Sequence, residues 1–431
     1  MPATHTVASD LVIAELVAHD QNDEAFARRL TASFVCAADN ARKPVEDGGL
    51  DPDLYALLDW PTTLTGYYAF LNDFARWVPN QTGAPGWEAP GTSQYQEVYD
   101  RLCHFYYLID QPGPDGKVVQ SDPWFAKWLD RYADAWGSFL DTPGSFTEAD
   151  LASYLHHSPQ YRVQDSMVGE PPTWVPNNPS GWNTFNQFFA RELNPGLRPI
   201  TDPTDNATVT SPADCTFHAQ YPIDADSNVL VPDDGARLKG THAIGNVTDL
   251  LEGSAYADAF AGGTFAHYFL APYSYHRFHT PVAGAVLECY AVKGLAYLAV
   301  DIADDGQFDA PDDSTDGYEF KQARGVVVID TAGSPYGDVG LVAVVPVGMA
   351  QVSSVHMTGL SKQSAAAQPA RLRDPNVPEP WHYAKGEEFG YFLFGGSDII
   401  LLFQEGALES LDTATTYRYY GQESARCALR G

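Results

Sequence analysis

The sequence predicts an α+β fold, in which a helical N-terminal domain of residues 1–178 is followed by a sheet-rich, mostly antiparallel domain of residues 179–431. Three observations lead to this prediction. Apolar residues in the first part recur at helical spacing, a proline-rich segment follows, and the second part contains short runs of β-branched and aromatic residues. A chain of 431 residues also exceeds the length of about 250–300 residues at which single cores stop growing.

The helices of the first part are predicted from two stripes of apolar residues spaced three and four positions apart. The second stripe follows an Asp122-Pro123 pair, which is a helix start signal. Stripes of this kind pack one helix on another, and no ligand role is assigned to them. Their members are Tyr95, Val98, Leu102, Phe105 and Ile109, then Phe125, Trp128, Leu129, Tyr132 and Trp136.

The boundary between the domains is placed in the segment from Gly169 to Trp182, whose prolines exclude a helix or an inner strand. A short helix is predicted next, from Thr184 to Leu193. The strands expected after it are bounded by Gly, Pro and Asp. They span residues 216–221, 264–270, 285–292, 325–330, 340–347, 389–394 and 398–403.

The charge of the chain excludes some partners. Lys and Arg number 25 against 56 Asp and Glu, a formal net charge of −31. Such a field repels nucleic acid and anionic lipid headgroups, so the expected partner is a small molecule and no nucleic acid. No signal peptide and no apolar run near ~18 residues is present, which leads us to expect a cytoplasmic protein.

Neither the cysteines nor the acidic residues predict a metal site. The five cysteines have no paired spacing, so we expect reduced thiols rather than disulfides or zinc. The segment from Asp301 to Glu319 carries seven aspartates and one glutamate, but Ala303 stands where a calcium loop needs a ligand. We expect a solvated loop there, lying over the active site.

The strongest local signal lies near the C-terminus, where two apolar runs meet at Gly395-Gly396-Ser397. Two glycines leave little steric hindrance around the one hydroxyl, which could reach the carbonyl of the preceding residue. Taken alone, the pattern is also that of an ordinary hairpin turn.

These residues resemble the cleavage motif of the phosphatidylserine decarboxylase family, Leu-Gly-Ser-Thr or Gly-Gly-Ser-Thr. Four further segments resemble family motifs in the same order, and together the matches cover roughly residues 183–406. They are residues 188–200 (FFARELNPGLRPI), residues 211–214 (SPAD), residues 275–284 (YHRFHTPVAG) and the strand at residues 341–355.

The resemblance implies self-cleavage between Gly396 and Ser397 into chains 1–396 and 397–431. Ser397 would attack the Gly396 carbonyl, His279 would take its proton, and Asp214 would orient His279. The serine becomes a pyruvoyl group, which forms a Schiff base with the substrate amine. The cofactor is thus this pyruvoyl group, with no PLP and no metal expected. His276 would protonate the substrate carbon after carbon dioxide leaves.

Several residues depart from the family pattern. Cys215 stands where the family usually has Gly, Ser274 where many members have Asp, and Asp398 where Thr usually follows the cleaved serine. The Asp398 carboxylate could attract a substrate ammonium or turn into solvent. We name Asp398 and Tyr275 as candidate substrate-binding residues.

These departures and the charge of −31 favour the soluble, aromatic amino acid (tryptophan) decarboxylase branch of the family. The expected activity is removal of the α-carboxylate of tryptophan, tyrosine or phenylalanine. The alternatives are a phosphatidylserine decarboxylase making phosphatidylethanolamine, for which membrane association would be expected, and an uncleaved non-catalytic scaffold.

Overall fold

The structure is a computed structural model, and it confirms the α+β class. It describes residues 8–171, 173–232, 241–310, 317–349, 355–358 and 381–431. Over these residues the chain forms two compact units. One comprises Met1–Phe188 and Leu295–Ser314, and the other comprises Phe189–Gly294 and Thr315–Gly431.

Among its described residues, the first unit contains seven complete α-helices. They are α1 (Ala8–Asn22), α2 (Glu24–Ala41), α3 (Pro52–Leu57), α4 (Leu64–Phe74), α5 (Glu97–Tyr107), α6 (Pro123–Leu140) and α7 (Glu148–His157). The predicted start of α6 is confirmed, because Asp122 accepts hydrogen bonds from the backbone N–H groups of Trp124 and Phe125. Most of the predicted stripe residues are buried, and the aromatic ring of Phe105 lies parallel to that of Tyr132.

The acidic segment differs from its prediction. Residues 301–310 form a hairpin of the first unit, and Tyr99 of α5 donates its hydroxyl to the Phe308 carbonyl while it accepts the Ala310 N–H. Phe308 and Ala310 are buried, so a fully solvated loop was the wrong expectation for this part. The predicted boundary at residue 178 assigned residues 295–310 to the second domain, whereas in the structure they belong to the first unit. Residues 311–316 lie outside the described residues.

The helix predicted at Thr184–Leu193 is shorter in the structure, where α8 spans only Phe185–Phe189. Two further elements precede it, β1 (Met167–Val168) and β2 (Val175–Pro176), which pair with each other. After α8 the chain is mostly strand, apart from α9 (Val247–Leu250).

A seven-stranded antiparallel sheet forms the centre of the second unit, in the order β15-β9-β12-β13-β17-β7-β4. Its strands are β4 (Thr216–Pro222), β7 (Thr264–Leu270), β9 (Gly284–Val292), β12 (Arg324–Asp330), β13 (Leu341–Met349), β15 (His382–Tyr383) and β17 (Gly396–Phe403). One face packs on a core that includes Val328, Val345 and Ile400. The site strand, β17, is therefore held on both sides, by β13 and β7.

Smaller sheets complete the second unit. One has the order β14-β16-β8, a second has the order β18-β19-β3, and β5 pairs with β6. Their bounds are β3 (Thr208–Thr210), β5 (Asn228–Pro232), β6 (Thr241–Asn246), β8 (Arg277–His279), β14 (Val355–Met357), β16 (Glu388–Phe392), β18 (Leu408–Leu411) and β19 (Glu423–Cys427). Two further short strands, β10 (Asp301–Ile302) and β11 (Phe308–Asp309), form the hairpin of the first unit.

The corner between the two apolar runs lies one residue earlier than the sequence predicted. The bend is at Phe394 and Gly395, and Gly396 and Ser397 already belong to β17. Gly395 has a φ of 151°, a value that side-chain-bearing residues rarely adopt. The sequence placed the serine in a turn, whereas the structure places it within a central strand.

Candidate active site

Ser397 lies near the beginning of β17, opposite Gly348 of β13 and Leu270 of β7, and it is fully buried. Its Oγ is 3.2 Å from Nδ1 of His276, and Nε2 of the same ring is 3.2 Å from the Pro272 carbonyl oxygen. A carbonyl can only accept, so Nε2 carries the hydrogen and Nδ1 is left to accept the serine hydroxyl. This arrangement lets His276 take a proton from Ser397.

Burial controls the protonation of His276. Burial, with a smaller contribution from the positive charge of Arg191, lowers the pKa of His276 to about 3 against the opposing effect of the Pro272 carbonyl. The ring of Phe189 stacks on the imidazole with 3.9 Å between centroids. The imidazole is therefore neutral at pH 7 in the uncut chain, which is the form that a base requires.

His279 lies on β8 and has a different set of partners. Its Nδ1 is 3.0 Å from the Gly386 carbonyl oxygen, while Nε2 is buried and has no hydrogen-bond partner among the described residues. Burial, and secondarily the charge of Arg277, lowers the pKa of His279 to about 4. His279 is thus neutral as well, with a lone pair available on Nε2.

Asp214 forms a buried ion pair with Arg198, with 2.7 Å between Nη2 and Oδ2. Its other oxygen accepts the backbone N–H of Tyr420 at 2.8 Å. Neither nitrogen of His279 forms a hydrogen bond with Asp214 or Ser397 in the described part of the chain, so the roles predicted for Asp214 and His279 have no direct contact behind them here. The histidine in contact with Ser397 is His276, three positions earlier. The catalytic roles of all four residues remain predictions.

Asp398 points to the opposite face of β17 from Ser397, because side chains alternate along a strand. It is fully buried, and its Oδ2 accepts the Tyr318 hydroxyl at 2.9 Å and lies 3.2 Å from His267 Nε2. The alternative in which Asp398 turns into solvent is therefore wrong. A contact with a substrate ammonium remains a prediction.

His267 lies between two carboxylates. Its Nδ1 is 3.4 Å from Glu319, and its Nε2 approaches Asp398 at ion-pair distance without the alignment of a hydrogen bond. Burial by itself would lower the pKa of His267, but the negative charges of Asp398 and Glu319 outweigh it and raise the pKa. The His267 ring and the Tyr318 hydroxyl are thus the groups that face the buried Asp398 carboxylate.

Tyr275, the second residue named as substrate-binding, is buried beside His279, with 5.8 Å between ring centroids. Sequence reasoning missed Arg198, Tyr420, Phe189 and His267. Arg198 and Phe189 could have been found, because both lie in the first family-like segment, at residues 188–200. Tyr420 and His267 carry no local signal, because only the tertiary fold brings them to the site.

The fold and the site together define a class of protein. A buried serine at the start of a central strand, preceded by two glycines and contacted by a neutral histidine, is suited to conversion into a pyruvoyl group. Within the described ranges, no group of three His, Cys, Asp or Glu residues could hold a metal ion. These features are those expected of the class of pyruvoyl-dependent decarboxylases.

Comparison with known families agrees with this class. The family model of phosphatidylserine decarboxylase matches residues 185–425, more than half of the chain. The chain belongs to the phosphatidylserine decarboxylase family, and it is a decarboxylase whose cofactor is a pyruvoyl group made from a serine. None of the helices in the described ranges is long and apolar enough to span a membrane.

Three relatives illustrate the range of the family. Decarboxylase iboD of Amanita muscaria is 29% identical over 317 residues, which are 69% of this chain and 82% of the relative. A phosphatidylserine decarboxylase proenzyme of Bordetella avium is 33% identical over 237 residues, 55% of this chain and 72% of the relative. For phosphatidylserine decarboxylase proenzyme 2 of Oryza sativa the identity is 28%, over 53% of this chain and 30% of the relative.

Proposed function

We propose that the chain cuts itself between Gly396 and Ser397 and then removes the α-carboxylate of a free aromatic amino acid. The contact between Ser397 Oγ and the neutral imidazole of His276 is the observation that carries the proposal. It places the nucleophile beside one of two neutral histidines of the site, and the variants described below decide which of the two accepts the proton. Ser397 is the serine that we propose as the source of the pyruvoyl group.

The cut proceeds by exchange of an amide for an ester. Ser397 Oγ attacks the Gly396 carbonyl carbon, its proton passes to a histidine, and the bond to the Ser397 nitrogen breaks as that nitrogen gains a proton. Loss of the Ser397 α-hydrogen then breaks the bond between Cβ and the ester oxygen. Gly396 leaves as a carboxylate, and hydrolysis of the remaining dehydroalanine releases ammonia and yields the pyruvoyl end.

In the cut enzyme a pyruvoyl group at position 397 would supply an electrophilic ketone for the substrate amine and an acceptor for the electrons released with carbon dioxide. His276 stays beside residue 397 and can supply the proton that replaces the carboxylate. Its pKa is low in the uncut chain, but a substrate carboxylate nearby favours the charged imidazole. Phe189, stacked on His276, helps to keep water from this step.

The preference for an amino acid over a lipid rests on charge and on one relative. A net charge of −31 opposes contact with an anionic bilayer. Decarboxylase iboD, whose match covers 69% of this chain, is not named for a phospholipid. Phosphatidylserine is the second candidate, because several other relatives are named phosphatidylserine decarboxylase proenzymes.

A panel of substrates tests this choice. We expect carbon dioxide release from tryptophan, tyrosine or phenylalanine, and at least ~100-fold less from vesicles of phosphatidylserine and phosphatidylcholine, because the net charge of −31 opposes contact with an anionic vesicle surface. Unprocessed Ser397→Ala protein serves as the blank. Faster release from the vesicles than from any of the three amino acids would reverse the assignment.

The His279→Ala variant tests the base that the family resemblance assigns. We expect self-cleavage to slow by roughly 10²–10⁴-fold, the usual contribution of a general base, because the neutral Nε2 lone pair is lost. Catalytic hydrogen bonds are often long before the reaction begins, so the missing contact with Ser397 does not exclude this role. Cleavage is followed by intact mass. Processing at the parent rate would instead assign the proton transfer to His276.

A further inference from the structure

Tyr420 connects two parts of the site that do not contact each other by hydrogen bonds. Its backbone N–H donates to Asp214 Oδ1 at 2.8 Å, and its ring stacks on the His279 imidazole with 3.7 Å between centroids and 2° between planes. Asp214 is itself fixed by Arg198, whose Nη2 donates to Oδ2 at 2.7 Å. The backbone of Tyr420 is thus tied to a buried ion pair, and its side chain lies against a histidine of the site.

The orientation of the His279 ring follows from this contact. The Gly386 carbonyl fixes Nδ1 at 3.0 Å, but a single hydrogen bond still allows the ring to tilt about that bond. A parallel aromatic ring at 3.7 Å removes the tilt. Tyr275 adds a second ring, at 5.8 Å from His279 and 5.6 Å from Tyr420. The remaining freedom of the imidazole is small, and Nε2 is left as the available nitrogen.

We propose that Tyr420 is a positioning residue, through which the Asp214–Arg198 ion pair sets the orientation of His279. The proposal rests on the function proposed above. It gives Asp214 a role without a direct hydrogen bond to the imidazole. It also places the two partners on different products of the cut, His279 on residues 1–396 and Tyr420 on residues 397–431.

Other charged groups also face His279, and the variants that test the proposal must leave these groups unchanged. Glu388 of β16 lies opposite His279 in the register, and it forms an ion pair with Arg277 at 2.7 Å. Asp214 and Arg198 approach through Tyr420, and Tyr275 packs on the ring. Substitutions at Tyr420 leave all of these groups in place.

The experiment measures self-cleavage of the pulse-labelled full chain between pH 4 and 8 in three variants. Tyr420→Phe keeps the ring and should cleave within about twofold of the parent. Tyr420→Leu loses the stack and should cleave at least tenfold more slowly. Tyr336→Leu is the control for a change of tyrosine to leucine, since its side chain is exposed, and it should behave as the parent.

The pH profile separates positioning from general damage. Cleavage requires neutral His279, so the parent should keep its rate down to about pH 4, the pKa of His279. Loss of the covering ring admits water, and the pKa of His279 should move toward its ordinary value of about 6.5. The pH below which the cleavage rate falls should therefore be higher in Tyr420→Leu than in the parent, by one pH unit or more. A rate lowered equally at all pH values would contradict the proposal.

A double-variant cycle tests the path from Asp214. If Asp214 acts through Tyr420, Asp214→Asn combined with Tyr420→Leu should be no slower than the slower single variant. A double variant whose rate is reduced by the product of the two single reductions would overturn the proposal. A Tyr420→Phe variant as slow as Tyr420→Leu would also overturn it. If Tyr420→Leu does not fold, Tyr420→Met carries the same comparison. Failure of the parent chain to cleave would instead overturn the proposed function itself.

Discussion

The Ser397→Ala variant is expected to remain one chain of 431 residues and to have no decarboxylase activity. Alanine has no hydroxyl to attack the Gly396 carbonyl, and without the cut no pyruvoyl ketone forms. The substitution removes one buried oxygen at a strand held on both sides, so the fold should persist. Intact mass and carbon dioxide release measure the two losses.

A matched control is available in the same C-terminal segment. Ser410→Ala changes an exposed serine of β18 and should process and decarboxylate as the parent does. Two chains with the masses expected for residues 1–396 and 397–431 in Ser397→Ala would show that the Ser397 hydroxyl is not the nucleophile. An uncut parent that still released carbon dioxide would exclude the pyruvoyl group as the source of activity.

The His276→Ala variant is expected to lose decarboxylation by roughly 10²–10⁴-fold, the usual contribution of a general acid. Its imidazole is 3.2 Å from Ser397 Oγ, so it lies beside the residue that becomes the ketone. We expect the variant to cut itself, because the family resemblance assigns the proton of Ser397 to His279. The cut fraction is quantified first, and the turnover is then expressed per pyruvoyl group.

The control for this variant is His382→Ala, which changes an exposed histidine of β15 and should not affect turnover. Reduction with a hydride donor in the presence of substrate tests whether the pyruvoyl group still captures the amine. Parent-like turnover in His276→Ala would exclude it as the acid. Loss of the cut together with turnover would assign both proton transfers to His276, in agreement with its contact with Ser397.

The features that the sequence determined are those with a local physical cause. The periodic stripes and the Asp122-Pro123 cap predicted α5 and α6, because helix spacing and capping act within a few residues. The β-branched runs predicted β7, β12, β13 and β17 to within two residues at most ends. The ordered motifs identified the family, which the match over residues 185–425 shows.

Other features required the tertiary structure, because they depend on pairing between distant segments. Residues 295–310 belong to the helical unit through contacts such as Tyr99 with Phe308, more than two hundred positions away. The burial of Asp398 depends on the register of β17 against β7, which brings His267 beside it. Neither contact can be predicted from the amino-acid composition.

The two histidines show the same limit within a single motif. His276 and His279 are three residues apart, and both match the family pattern. The resemblance assigned the proton of Ser397 to His279, but the spacing of the two residues does not indicate which ring contacts Ser397. The backbone geometry determines which of the two histidines contacts Ser397. β8 begins at Arg277 and pairs with β16, which directs His279 toward Gly386 and Tyr420. His276 precedes the strand, and its contact with the Pro272 carbonyl turns its other nitrogen to Ser397.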